Sequence, residues 1–500
     1  MNTLNNRFAV YFVLALALLL RLLAISARPL WYDEAFSVLF AEKGPQAILA
    51  GTLGSDEAAS EEHPLLYYTL LWGWMKVLGE TPPAVRSFSV LCGVGIVYLA
   101  YLLGRQLFDK RFGLTVAGIT AISPFQIHYA QEARMYALMT FLLLGATCAL
   151  WMGMRGGGWG WWLLFGVSAA LGQYTHNLAA FYLLPLALTP LWMKDWRSSK
   201  AVVLSGLGAL LLYAPWLMRL PAQFAKIQGN FWIERPSPSR LIATLLSFVV
   251  DLPVPEGWLP LALFVTFSIV ALALWQTWLA WRRRREGLRW GLWLFYLAFA
   301  PPVFLFLFSQ WQPIFIERAL LPSGVIFVAW LGWAFSWTKM PEAIRTLAFL
   351  LLVVGMLLGN YHHVSYTGFP YGPYAALDAY LARYASGEDV ILHSNKLTLL
   401  PMVYYGRDLP QRYLADPPGS GADTLAPATQ EVLGLIADPN PEAAVGESRR
   451  VWFVIFERAI EEYRDLGYSA HPHLEWLNSR FILEKISNWG DLLLYVYVKK

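Results

Sequence analysis

Long apolar runs, each broken by a short polar stretch, set the reading of the whole chain. Runs of about 17 to 24 residues suffice for a helix to cross a hydrocarbon layer of about 30 Å. Eleven are read here, near 8–26, 86–104, 113–127, 135–154, 159–175, 177–193, 201–218, 259–281, 290–309, 318–337 and 344–360. The first resembles a cleaved secretion signal but reads as a retained helix, because further spans follow. With the amino terminus inside, every cytoplasmic gap is basic: Arg105, Lys110 and Arg111; Arg155; Lys194, Arg197 and Lys200; Arg282 to Arg285 with Arg289; Lys339 with Arg345. The segment His63–Leu78 imitates a span, yet counting it would turn the four arginines outward. It is expected to be a helix in the outer interface, with Tyr67, Tyr68, Trp72 and Trp74 at headgroup depth. The first external loop then runs from about 27 to 85.

Past residue 361 the pattern changes. That part holds 17 of the 34 acidic residues but 12 of the 38 basic ones, so it reads as water-soluble and mildly acidic, and eleven spans put it outside the membrane. Strands are expected at Asp389–His393, Arg450–Phe456, Phe481–Ile486 and Leu492–Val498, with helices near 377–385, 396–405, 428–437 and 459–467 and a loop over Asp416–Ala428. The fold class is thus a polytopic α-helical membrane protein of about eleven spans (1–360) with a small C-terminal extracytoplasmic α/β domain (361–500). Composition agrees: 57% hydrophobic, 14% charged, 24 Trp and 25 Tyr, with a mean hydropathy of +0.44, exclude an ordinary soluble enzyme. A net charge of +4 gives no argument for a nucleic-acid partner, and Cys92 and Cys148, both in apolar runs, offer no disulfide framework.

Candidate chemistry lies in the outward turns. Asp33 and Glu34 emerge after the first run, in a loop that also carries Asp56, Glu57, Glu61, Glu62, His63 and Arg86. Such a dyad can take a proton, hold a divalent metal or bind a cation, and its bland alternative is an idle interfacial pair. In the second turn, Gln126–Tyr136, a helix starting there would set Glu132 and Tyr136 on one face at i,i+4; the duller role for Glu132 and Arg134 is to cap and anchor a helix end. His176 stands in a third turn. A fourth loop, about 219–258, holds Arg219, Lys226, Asn230, Glu234, Arg235, Arg240 and Asp251, and a short fifth ends in Arg318. His362 and His363 are adjacent, lack helical ligand spacing, and are expected in a solvated linker.

The string Trp31-Tyr32-Asp33-Glu34, then His63-Pro64-Leu65, Val85-Arg86-Ser87-Phe88-Ser89, Gly104-Arg105-Gln106-Leu107-Phe108 and Gln131-Glu132-Ala133-Arg134-Met135-Tyr136 resembles the GT-C membrane glycosyltransferases, in particular the protein O-mannosyltransferase and lipid A aminoarabinose transferase group. The resemblance covers roughly the first 220 residues; Arg318-Ala319-Leu320-Leu321-Pro322 resembles a later family turn. It implies that Asp33 is the catalytic carboxylate, with Glu34 beside it and Glu132 as second acid. Two positions depart from the family habit: His63 stands where Lys is frequent, and Glu132 where Asp is frequent.

The residue types suit that chemistry independently. A sugar leaving a polyprenyl phosphate releases a phosphate monoester, which positive charge stabilises. Arg86, Arg134, Arg318 and His63 can supply it, with His176 among the substrate-binding candidates and Tyr136 able to stack on a sugar face. A carboxylate opposite the leaving group deprotonates the acceptor, and single displacement inverts the anomeric centre. The function so read is an inverting glycosyltransferase of the cytoplasmic (plasma) membrane. Its partners are a polyprenyl-phosphate sugar donor, a sugar acceptor and the bilayer; no cofactor is named, and a divalent metal is left open. The rivals are a transporter or flippase, which would bury charge near the midplane and carry internal repeats, and a scaffold displaying its soluble domain.

Overall fold

The computed structural model describes residues 2–53, 63–219, 221, 233–416 and 424–500. Asp56, Glu57, Glu61, Glu62, Lys226 and Asn230, and the 417–423 part of the expected loop, lie outside the described residues. The chain divides into two compact units, one of residues 1–25, 86–218 and 233–366, the other of 26–85, 219–232 and 367–500.

The first unit is a helix bundle. By length and composition, seven helices among the described residues can cross a membrane: Pro82–Leu107, Tyr136–Met154, Trp196–Leu217, Glu256–Arg282, Leu288–Ser309, Glu317–Ser336 and Glu342–Ser365. Each coincides with an apolar run of the sequence. Their burial separates two roles: 94% of the apolar window of Glu317–Ser336 is buried, against 17% for Trp196–Leu217, so the first fills the bundle's interior and the second turns its leucines outward, as a lipid-facing helix does. The other runs are shorter or broken. Trp159–Thr175 has 17 residues, the apolar part of the first helix spans Phe8–Leu22, and the run at 177–193 divides into Asn177–Ala179, Ala180–Ala187 and Thr189–Trp192, with prolines at 185 and 190.

The run at 113–127 also breaks, and the break prepares the site. Pro124 cannot continue a helix and instead opens a new one, so Lys110–Ile122 ends at Ser123 and Pro124–Ala130 begins. The last carbonyls of the first helix are thereby orphaned in an apolar interior. Arg21, fully buried, donates to Ala121 O at 3.1 Å and Thr120 O at 3.5 Å, and Asn360 Nδ2 donates to Ile122 O at 2.7 Å. A guanidinium at a helix C-terminus also meets the negative end of the helix dipole. Gly93 makes room for it, since a Cβ there would stand 2.7 Å from Arg21 Nε.

The second unit is built on a five-stranded mixed sheet, β1 Val390–His393, β2 Gln411–Tyr413, β3 Arg450–Phe456, β4 Phe481–Trp489 and β5 Leu492–Lys499, in the order β2-β1-β3-β5-β4. β1 runs parallel to β2 and β3; β5 runs antiparallel to β3 and β4. Central β3 reads as one apolar run because both faces are covered. Val451, Phe453 and Ile455 enter one core with Leu474 and Leu477, while Trp452, Val454 and Phe456 enter another with Leu377, Leu381 and Met402. The four expected strands and the helices Tyr374–Tyr384, Lys396–Tyr405, Pro427–Leu433 and Glu457–Asp465 are present. β2 and the helix Pro472–Arg480 were not expected, the former because Gln and Arg occupy two of its three positions.

The described residues of the stretch expected as the first external loop, 27–53 and 63–85, belong to this second unit. Leu30 N donates to Tyr405 Oη at 3.0 Å, Arg28 Nη1 to Tyr371 Oη at 3.2 Å and Tyr404 Oη to Glu80 O at 2.6 Å. Arg407 pairs with Glu42 at 2.7 Å and Glu80 at 3.3 Å. The helix expected over 63–78 forms at Leu66–Leu78, but headgroup depth does not describe all its aromatics. Tyr67 and Tyr68 are fully buried, with Tyr68 edge-on to Phe36 and Phe40 at 5.8 and 5.1 Å, because a helix with apolar residues packs them inward wherever protein surface is offered.

Candidate active site

In the membrane unit the polar turn after Pro124 gathers the chemistry. The helix Pro124–Ala130 carries His128, and the chain then bends through Gln131–Met135 before Tyr136–Met154 begins. Glu132 therefore lies outside any helix, and the helical i,i+4 relation to Tyr136 expected from spacing does not form; its partner is behind it, His128 Nε2 at 3.4 Å from Glu132 Oε1. Gln131 fixes the bend, with Nε2 donating to Arg21 O at 3.0 Å and Leu23 O at 2.7 Å and so closing the end of the first helix.

Around this turn stand the other predicted groups of the unit. Glu132 and Arg134 are buried, and Glu132 Oε2 has no hydrogen-bond partner among the described residues. A buried carboxylate oxygen left over is costly unless something else meets it. The Arg134 backbone is held by Ser89 Oγ, which donates to its carbonyl at 3.3 Å. Tyr136 is the hub of an aromatic group: Tyr129 and His176 lie at 5.6 Å between ring centroids, and the Arg318 guanidinium sits 5.1 Å from the Tyr136 ring centre. His176, buried, accepts from Leu178 N through Nδ1 at 3.1 Å, which leaves the neutral ring's proton on Nε2. Next to it Asn177 Oδ1 accepts from Tyr213 Oη at 2.8 Å and Trp216 Nε1 at 2.9 Å. Arg86 is buried and donates from Nη1 to Ile25 O at 2.7 Å, so one arm of this guanidinium anchors backbone.

His128 has a second acid. Asp251, which follows the helix Ser239–Val249, brings Oδ2 to 2.8 Å from His128 Nδ1. Burial works against a charged imidazole here, but Asp251 and then Glu132 outweigh it and raise the pKa to about 9. Asp251 holds a left-handed φ of 65°, unusual outside glycine. His363 completes the group. It does not lie in a solvated linker: it ends the helix Glu342–Ser365, is buried, and pairs through Nε2 with Gln131 Oε1 at 2.8 Å. One ligand atom each from His128, Asp251 and His363 falls within 4.8 Å of the others, so these residues can hold a metal. Sequence reading did not connect them, since each lies more than 100 positions from the next.

Asp33, Glu34 and His63 belong to the second unit. Both acids occupy the first turn of the helix Tyr32–Ala41, where the helix dipole favours negative charge. They differ in access: Glu34 is fully buried and Asp33 is half-buried. The Asp33 carbonyl accepts from Ser37 Oγ at 2.9 Å, and Tyr32 meets Phe369 at 6.3 Å. His63 is half-buried just ahead of the helix Leu66–Leu78.

A bundle of this kind joined to a small mixed sheet is the GT-C fold of solved membrane glycosyltransferases. ArnT from Cupriavidus metallidurans in the apo state matches with a TM-score of 0.62 at 13% identity, covering 97% of each chain. The Archaeoglobus fulgidus oligosaccharyltransferase, solved with Zn and sulfate, matches at 0.56 and 12% identity over 98% of this chain and 73% of that one. In sequence, residues 62–218 match the family model described as dolichyl-phosphate-mannose-protein mannosyltransferase. The undecaprenyl phosphate-alpha-4-amino-4-deoxy-L-arabinose arabinosyl transferase of Pseudomonas aeruginosa (strain UCBPP-PA14) is 29% identical over 179 residues, 34% of this chain and 32% of that protein. The chain is related to these aminoarabinose transferases, and the matched stretch spans about a third of their length.

Proposed function

We propose that the protein transfers a sugar from a polyprenyl-phosphate carrier to an acceptor at the outer face of the plasma membrane, with inversion at the anomeric carbon. The observation that carries this reading is the group in which Tyr136 meets His176 and the half-buried Arg318, with Glu132, Tyr136 and Arg318 all acting on the neighbouring Tyr129; Glu132, Tyr136 and His176 lie inside the segment related to polyprenyl-phosphate sugar transferases. The acceptor's oxygen or nitrogen forms a bond to the anomeric carbon, the bond from that carbon to the phosphate oxygen breaks, and its electron pair leaves on the phosphate. Asp33, the more accessible acid of its pair, takes the acceptor proton. Glu34, buried beside it, is a positioning residue, and Glu132 is the second acid of the site. Arg134, Arg318, Arg86, His63 and His176 stabilise the phosphate charge as it develops, Arg doing so with a forked pair of donors, while Tyr136 offers a face to the sugar.

The membrane unit also holds a mostly apolar cavity of about 210 Å³ that suits a lipid chain, lined by none of the residues assigned to the reaction. Its walls include Val250, Val254, Leu261, Val265 and Leu358, and His362 reaches it next to the buried His363. In the same reading the chain makes eleven spans with the amino terminus inside, residues 1–360 form the catalytic membrane part, and 361–500 form an extracytoplasmic domain. The test is purified full-length protein in detergent, a panel of polyprenyl-phosphate sugars, and mass spectrometry for released lipid phosphate. One donor of the panel should be consumed, and Asp33→Asn should abolish release while leaving expression and membrane insertion unchanged. Near-normal release by that variant removes Asp33 from the reaction.

A further inference from the structure

Three residues remain whose placement the sugar-transfer reading does not use. His128 ends a short helix, Asp251 follows another, and His363 lies in the last turn of a third, yet one nitrogen or oxygen atom from each lies within 4.8 Å of the others. A tetrahedral zinc ion with bonds of about 2.0–2.1 Å holds its ligand atoms roughly 3.3 Å apart, so His128 Nδ1 and Asp251 Oδ2, now 2.8 Å apart, need open by about 0.5 Å and no pair need close by more than about 1.5 Å. The surroundings are those of a built site. Histidines that bind metals commonly tie their other ring nitrogen to an acceptor, which fixes the ring. Here the turn supplies both acceptors, Gln131 Oε1 at 2.8 Å from His363 Nε2 and Glu132 Oε1 at 3.4 Å from His128 Nε2.

The backbone is arranged to the same end. Asp251 sits at φ 65°, in the left-handed region that Asp enters more readily than most side chains. Gly359, one turn before His363, lies so close to Val250 that an added Cβ would stand 2.1 Å from its carbonyl oxygen. The helix bearing His363 can therefore approach the residue before Asp251 only because position 359 has no side chain.

We propose that His128, Asp251 and His363 bind a divalent transition-metal ion of the zinc class. Two imidazoles and one carboxylate suit that class; magnesium and calcium prefer an all-oxygen shell. Three protein ligands leave a coordination position open, and the ion ties the turn bearing Glu132 to two helices that begin elsewhere in the chain.

The test measures metal directly, without donor or acceptor, so its failure and the failure of the sugar-transfer reading are distinguishable. Full-length protein in detergent is stripped with a chelator, reloaded with zinc or with magnesium, and its metal content determined. One equivalent of zinc per chain and none of magnesium is expected. Asp251→Asn and His363→Gln should each weaken zinc binding at least about 100-fold, whereas His362→Gln, beside the site but not in it, should bind as the native chain does. Cobalt in place of zinc should give a visible absorption band that is lost in the same two variants. Should those variants fail to fold, the native protein still decides: zinc must raise its unfolding temperature and magnesium must not. No zinc retained by the native chain, equal binding by folded ligand variants, or a preference for magnesium each overturns the site.

Discussion

Histidines withdrawn from solvent occur in both units, and they resolve the same conflict in opposite ways. In the membrane unit, burial disfavours charge on His128, but Asp251 at 2.8 Å and Glu132 at 3.4 Å reverse it and carry the pKa to about 9. In the α/β unit, His393 has Thr398 and Gln411 for partners, and burial takes it down to about 4, despite a smaller opposite pull from Gln411. His471 falls to about 4 by burial and His473 to about 3 by burial with His471 beside it. His128 is half-buried and the other three are buried, but the charge of the neighbour sets the direction of each shift. One unit sets two acids against a ring at which a metal is proposed, and the other gives His393 neutral partners in a structural core.

The contrast can be attacked first where the proposed chemistry lies. Glu132→Gln removes one of the two acids beside His128, and lipid-phosphate release should fall about 100-fold or more, the range of a lost acid–base group. Undiminished release by a folded variant would leave Glu132 the plain task of holding His128. The α/β unit should answer to acid instead. Its three histidines have folded pKa values below the ordinary 6.5, so the stability they confer is complete above about pH 6.5 and is lost as pH falls toward 4 and below. Asp378 and Asp491, both pushed up mainly by burial, work the other way, adding stability again as they take protons. Hydrogen exchange of the β1 and β3 amides in the full chain should accelerate across that window by more than the loss of one hydrogen bond, about 1 kcal/mol, allows, and His393→Gln should flatten the change.

A smaller effect belongs to Arg318. Lysine in its place keeps a charge but loses the planar group over Tyr136, which is worth up to about 2 kcal/mol where water is excluded; donor KM should rise roughly 10-fold with little change in expression. The smallest belongs to Tyr213→Phe. It removes one of two donors to Asn177, leaves Trp216 Nε1 in place, and should cost about 1 kcal/mol in thermal unfolding.

What the sequence disclosed follows from how locally each feature is encoded. Seven spans are legible because lipid demands apolar residues along a helix's whole length, and β3 because both faces of a central strand are covered. Asp33 and Glu34 are visible for the converse reason: adjacent charges stand out after an apolar run. The break at Ser123-Pro124 is written in the chain but is masked by the apolar residues on either side, which read as one span. The grouping of His128, Asp251 and His363 is written nowhere locally, because packing of three helix ends creates it. Tyr67 and Tyr68 mislead because amphipathic aromatics satisfy a protein core as well as a headgroup layer.

Arg21 has a bearing on how the protein is made. Its guanidinium lies in the first helix, while the carbonyls that receive it, Thr120 O and Ala121 O, are some hundred residues downstream. During synthesis the first segment thus enters the bilayer before its counterpart has left the ribosome, and an uncompensated cation at that depth is expensive. The first segment is expected to settle only when the third apolar run emerges and offers these carbonyls. Insertion is therefore a paired event, and Arg21 is the latch that closes it.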